Sequence, residues 1–146
     1  ISPEAQPQPS PEFRRRVRDY LAKRVPFAVA RHVKIIPAQY TLVGVKAEVI
    51  PHTAEQAAQV EAQVRKNLNR FLHPLDGGAD GQGWAFGQAV YLSQIARVIE
   101  ETAGVDYARE IRLQANGQVF EDVVSIAVNT LVAAGDHELR LSIGID

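Results

Sequence analysis

Apolar residues recur along this chain in two rhythms, and the switches between them outline its elements. Phe13, Val17, Tyr20 and Leu21 fall three and four apart behind Ser10-Pro11, a cap and first-turn pair, and predict a helix that ends near Pro26 with its arginines mostly on the other face. A short extended stretch over residues 33–36 meets Pro37. From residue 41 to 50 the period becomes two, with Val43, Val45, Ala47 and Val49 facing one way and Lys46 and Glu48 the other, as a sheet with one covered face requires. Thr53 and Gln56 have capping-box spacing, and Ala57, Val60, Val64, Leu68, Phe71 and Leu72 form one stripe, which predicts an amphipathic helix stopping at His73-Pro74. A further helix is predicted from Gln88 to Ala103 on Leu92, Ile95, Ala96 and Ile99, widened by Tyr91 and Val98, with Gly104 as its C′ residue.

Alternation then returns. Over residues 105–113, Val105, Tyr107, Ile111 and Leu113 point inward and Arg109 is the exception; Asn116-Gly117 is a turn signal. Residues 124–128 read as a strand, and residues 138–143 alternate with Leu139, Leu141 and Ile143 on one face. The order predicts an α+β layer fold: a small, mostly antiparallel or mixed sheet of about four strands, two central helices packed on one face, and an N-terminal helix. No internal repeat is visible.

Residues 1–9, ISPEAQPQP, are rich in Pro and Gln and read as a linker, leaving residues 10–146 as a single domain. With 146 residues, 46% of them apolar, one core suffices to bury about two thirds of the chain's surface without covalent staples. The absence of cysteine excludes disulfides, thiolate metal sites and thiol nucleophiles. No apolar run approaches the roughly 20 residues that cross a bilayer as a helix. A chain that begins at Ile1 and contains no methionine is expected to be the C-terminal domain of a longer protein.

The net charge of −1 conceals a division: eight cations against Glu12 and Asp19 make residues 12–34 +6, and residues 35–146 sum to −6. A basic stripe of this kind suits nucleic acid, an acidic membrane surface or an acidic protein face. The few aromatics within it and the lack of a recognisable nucleic-acid motif turn the expectation away from nucleic acid.

Residues 76–87, DGGADGQGWAFG, hold five of the ten glycines and the only tryptophan, and are the first place to look for ligand chemistry. The segment fails each template. Trp84 stands where a phosphate-binding loop needs Lys-Ser or Lys-Thr, and Gly87 falls one place too late for a dinucleotide fingerprint. As a calcium loop it offers Asp76, Asp80 and Gly81, but Gly78 and Gly87 stand at ligand positions. The remaining reading is a long loop pinned by Trp84 and Phe86. His32, His52, His73 and His137 are scattered singly, with no helical metal-ligand spacing, and no Gly-x-Ser-x-Gly elbow or paired-carboxylate arrangement is found. His73 before Pro74 reads as a backbone-bonding or helix-end group, and His137 as part of a polar turn. No catalytic constellation emerges.

One stretch carries a resemblance. F-L-H-P-L-x-G-G (Phe71 to Gly78) and G-W-x-F-G (Gly83 to Gly87), one helix away from the strand start Gly104-Val105-Asp106, resemble the C-terminal part of baseplate J-like proteins, the baseplate assembly proteins of contractile phage tails and injection systems. Upstream, Tyr20, Leu21 and Arg24, the Pro37/Tyr40 turn and the strand at 43–49 fit the same pattern, so the likeness extends over residues 14–113. It implies a structural wedge protein without enzymatic activity. Its implied partners are other wedge proteins and a second copy of itself, with no cofactor, small-molecule substrate, membrane or nucleic acid. It implies a location in the assembled tail or injection particle, built in the bacterial cytoplasm. The resemblance supplies no site residues. From the charge pattern, Arg14, Arg15, Arg18 and Arg24 are expected to face an acidic partner surface, and Trp84 and Phe86 either to anchor the loop to its own core or to fill a neighbour's pocket. The alternative functions are a ligand- or metal-binding module using loop 76–87, or a nucleic-acid module using the basic segment 12–34.

Overall fold

Residues 5–24 and 36–143 are described by the computed structural model. Most of the extended stretch expected at 33–36 lies outside them. Helix α1 runs over Pro11–Ala22, with the Ser10 hydroxyl accepting from the Phe13 N–H as its cap. It stops short of Pro26, and none of its residues is buried.

The central element is β1, Gln39–Pro51, thirteen residues long. It pairs antiparallel with β3, Val105–Ala115, which pairs antiparallel with β4, Gln118–Phe120, through the turn at Asn116-Gly117. On its other edge β1 pairs in parallel first with β6, Thr130–Ala134, and then with β7, Glu138–Leu141. The result is a mixed five-stranded sheet. A separate two-stranded sheet joins β2, Val90–Tyr91, to β5, Val123–Val124. Helix α2, Ala57–Phe71, and helix α3, Leu92–Glu100, cover one face of the large sheet. Val60, Val64 and Leu68 of α2 and Ile95 and Ile99 of α3 meet Val43, Val45, Ala47, Val49, Ile111 and Leu113 in one core. The fold is therefore α+β, as the order of elements predicts.

Several boundaries differ from the expectation, each for a physical reason. Thr53 does not cap with its side chain; a 3-10 turn over Ala54–Gln56 precedes α2, and the Gln56 N–H bonds the Thr53 carbonyl instead. The helix expected from Gln88 begins only at Leu92, because Val90 and Tyr91 are drawn into pairing with Val124 and Val123. It ends at Glu100, and Gly104, at φ +90°, turns the chain into β3 rather than capping the helix. The strand expected over 124–128 is only two residues long. Of the strands not foreseen, β6 is the longest: Leu131, Val132 and Ala133 are all buried, so a strand covered on both faces shows no alternation.

Within β3 the expected inward series breaks. Lys46 pairs with Arg112 and Glu48 with Arg109, so Ala47 faces two residues, Glu110 and Ile111, in a β-bulge with Glu110 at φ +53°. The extra residue exchanges the faces. Tyr107 and Arg109 lie with Glu48 and Ile50 on the face away from the helices, and Ala108 packs inward in their place. Tyr107 is exposed, contrary to expectation, and Arg109 ceases to be an anomaly. In β7, Leu139 and Leu141 pack on the core while Ile143, beyond the strand's end, is exposed.

Candidate functional site

The glycine-rich segment folds into a knob that closes on itself. At the end of α2, His73 Nδ1 accepts from the N–H groups of Leu75 and Asp76, both at 3.2 Å, while its carbonyl accepts from Gly77. Gly78 N–H bonds the Phe71 carbonyl, Gly83 N–H bonds Gly77 and Trp84 N–H bonds Pro74. The Trp84 ring is buried, meets Phe71 edge to face at 5.4 Å and donates its Nε1–H to the Phe71 carbonyl at 2.9 Å. A Cβ on Gly77 would run into the carbonyl oxygens of Phe71, Arg70 and His73, so glycine is required there by close backbone approach. The two blocks that carry the family resemblance thus grip one another through main-chain bonds. Between the two blocks Asp80 serves the same end, its Oδ1 accepting from the Gln82 N–H at 2.9 Å. Among the described residues no group of three or more His, Asp or Glu converges on a common point.

The expected partner-facing residues fall in different settings. Trp84 is inside the core of its own chain, whereas Phe86, two residues on, is exposed at a turn against Val128. Arg14 is half-buried and its Nε donates to the Pro9 carbonyl; Arg24 stacks over the Tyr20 ring at 3.7 Å; Arg15 and Arg18 are exposed. All four lie on α1 or its end, and α1 makes no substantial contact with another described element.

Two sites went unforeseen. On the sheet face away from the helices, Glu48 is buried although its pattern position is polar. Its carboxylate takes a two-pronged grip from Arg109, at 2.7 and 3.1 Å, a second cation from Arg140 at 3.2 Å and the Ser142 hydroxyl. The Arg109 hydrogen bonds, followed by Ser142, hold this carboxyl down at about 2 against the opposing cost of burial. A carboxylate so far below neutrality is a poor proton acceptor, which makes it a cross-brace between β1, β3 and β7 and not a general base. The adjoining depression, about 500 Å³, is lined by Lys46, Glu48, Glu110, Glu138 and Arg140, a set whose charges answer one another. Arg109's departure from the apolar series was the one sequence signal of this cluster.

The second is His137, buried where a polar turn was expected. It occupies the break between β6 and β7. Its Nδ1 accepts from the Val45 N–H at 3.1 Å, its Nε2 meets Asn69 Oδ1 at 2.9 Å, and its carbonyl accepts from Arg65. An Nδ1 that accepts from a backbone donor requires a neutral ring carrying its proton on Nε2. Burial, aided by Arg65 and opposed by Asp136, lowers its pKa to about 4. The side chain fills the gap in the β1 ladder and ties it to α2.

No protein-family model matches the chain, and no curated protein sequence matches it significantly. No helix among the described residues is long and apolar enough to cross a membrane.

Proposed function

We propose that this chain is a structural component of the baseplate of a contractile phage tail or injection system, resembling the C-terminal part of baseplate J-like proteins, and that it acts through protein–protein contacts and not through catalysis. The observation that carries the reading is the knob. The residues that bear the resemblance are those that build it: His73, Gly77, Gly83 and Trp84 satisfy one another's backbone groups and anchor the loop to α2. A motif whose chemistry is spent on its own architecture belongs with proteins that must hold a shape. An exposed basic α1 beside a body of opposite net charge supports the same reading, because a particle built from repeated subunits needs complementary faces. The proposed partners are other wedge proteins and a further copy of the chain, and the proposed location is the assembled particle, formed in the bacterial cytoplasm.

The experiment is co-expression of the protein with baseplate wedge proteins of a contractile system, followed by affinity purification and negative-stain imaging. A stoichiometric complex that assembles into wedges or rings is expected. A protein that joins no such complex overturns the reading.

A further inference from the structure

Asn116 and Gly117 form the tip of the β3–β4 hairpin, and both are exposed. They take the left-handed conformation, at φ +53° and +74°, as a two-residue turn between the paired Ala115 and Gln118 requires. Glycine brings no Cβ to crowd its own nitrogen, and nothing lies within 4 Å of where a Cβ on Gly117 would stand. Among the described residues the Gly117 N–H has no main-chain acceptor, and no hydrogen bond holds the Asn116 side-chain amide. An amide carbon and an uncrowded main-chain nitrogen are therefore neighbours in the chain, and neither is tied down.

The other three asparagines lack this combination. Asn67 and Asn69 lie within α2, where the N–H of the residue after each is spent on the helix. Their side chains are engaged as well, Asn67 with Gln63 and Thr102, and Asn69 with His137. Asn129 is exposed in a turn, but it precedes the β-branched Thr130, whose N–H donates to the Ala127 carbonyl at 3.0 Å.

We propose that Asn116 is a self-modification site, at which the Gly117 nitrogen attacks Asn116 Cγ and the side-chain amide is exchanged for a carboxylate. The Cγ–Nδ2 bond breaks as the N–Cγ bond forms, and Nδ2 leaves as ammonia with the proton that Gly117 gives up. The product is a five-membered cyclic imide. Water then adds to one of its two carbonyls. Opening at Cγ gives an aspartyl residue, and opening at the main-chain carbonyl reroutes the backbone through Cβ as an isoaspartyl linkage. One ammonia leaves and one water enters, with no change of oxidation state.

The hairpin governs both the reaction and its consequence. The turn must open for the ring to close, and β4 is held by only three residue pairs at the edge of the sheet, the kind of element that opens locally without global unfolding. Asn116 and Asp136 line one depression of about 410 Å³, and no lysine or arginine contributes to that lining. A carboxylate at position 116 thus shares the depression with a like charge and loosens the seat of the hairpin. An isoaspartyl linkage adds a backbone atom to a two-residue turn and breaks the β3–β4 register. Loss of ammonia makes the change one-way, so it accumulates with the age of the chain.

The test is incubation of the whole chain at pH 8.5, folded and unfolded in guanidinium, followed by peptide mapping by mass spectrometry. In the folded chain the peptide holding residues 116–117 is expected to gain about one dalton and to split into two isomers. It should do so about tenfold or more faster than any peptide holding Asn67, Asn69 or Asn129 converts, a factor worth about 1.4 kcal/mol of barrier. An Asn116 that stays intact in the folded chain while the unfolded chain loses it overturns the proposal, as does equal conversion at Asn129. Asn116→Asp isolates the new charge, because aspartate also accepts a positive φ. Its β4 amides are expected to exchange hydrogen about twofold faster than those of the wild type, the size of one exposed charge pair, and adding Asp136→Asn is expected to cancel the change. Exchange that is unaltered, or that stays raised without Asp136, overturns the proposed loosening.

Discussion

Acidification should weaken this protein through one imidazole. His137 titrates near 6.5 in an unfolded chain and at about 4 in the folded one, because burial and Arg65 disfavour its charged form. Protonation at Nδ1 would also set an N–H against the Val45 N–H that now donates to it. Above pH 6.5 both states leave the ring neutral and the stability is fully present. As pH falls from 6.5 towards 4 the unfolded chain takes up a proton that the native chain refuses, and stability is lost; below 4 the loss levels off. At about 1.4 kcal/mol for each pH unit of that window, and allowing for solvent screening at the Arg65 side, the loss amounts to about 2 to 3 kcal/mol. The assay is urea unfolding at pH 7.5 and 4.5 for the wild type and His137→Asn. Asparagine can still accept from Val45 but does not titrate. The variant should be less stable at pH 7.5 by about 1 kcal/mol, for the lost Asn69 bond, and should lose about 2 kcal/mol less on acidification than the wild type. Equal losses in the two proteins would refute the assignment of a neutral, ladder-bonding His137.

Replacing the Glu48 carboxylate should release Arg109 and Arg140 together. Glu48→Gln is expected to lower the unfolding midpoint at pH 7 and to remove the part of the acid transition that runs from the ordinary carboxylate range down to about 2, where the wild type loses this brace; an unchanged acid limb would speak against it. Trp84→Ala empties a core site and removes one of the two hydrogen bonds to the Phe71 carbonyl, with an expected cost of about 3 to 5 kcal/mol by denaturant unfolding followed by circular dichroism. A cost below about 1 kcal/mol would mean that the ring is no anchor. Gly77→Ala should cost about 2 to 3 kcal/mol through its clash with three carbonyl oxygens. Gly81→Ala, with open space around it and only a positive φ to strain, should cost about 1 kcal/mol; equal values would contradict the close approach at Gly77.

The periodic elements were readable because one covered face dictates their pattern. The stripe Val60, Val64 and Leu68 and the alternate positions Val43, Val45, Ala47 and Val49 meet in one core, so α2, β1 and the α+β class follow from spacing alone. The glycine-rich segment was readable as a loop, and Trp84 as a candidate anchor within it. Lone residues fared differently. Trp84 and Phe86 are two positions apart and equally aromatic, yet one packs against Phe71 and the other meets solvent, a choice made by the fold of the knob.

Sequence by itself determined the kinds of element, the covered faces of α2 and β1, and the separation of a basic segment from an acidic body. Tertiary structure alone decided what joins across distance. The bulge at Glu110 exchanges the faces of Arg109 and Tyr107, because one extra residue shifts a period of two, and no local pattern announces it. Parallel pairing of β1 with β6 and β7 leaves a break that His137, 92 residues from Val45 along the chain, fills with its side chain. Glu48 is polar by pattern and buried in fact, since Arg109 and Arg140 converge on it from two other strands. Alternation records which side of a strand is covered, whereas long-range pairing records which charges and donors meet, and only the folded chain brings those partners within bonding distance.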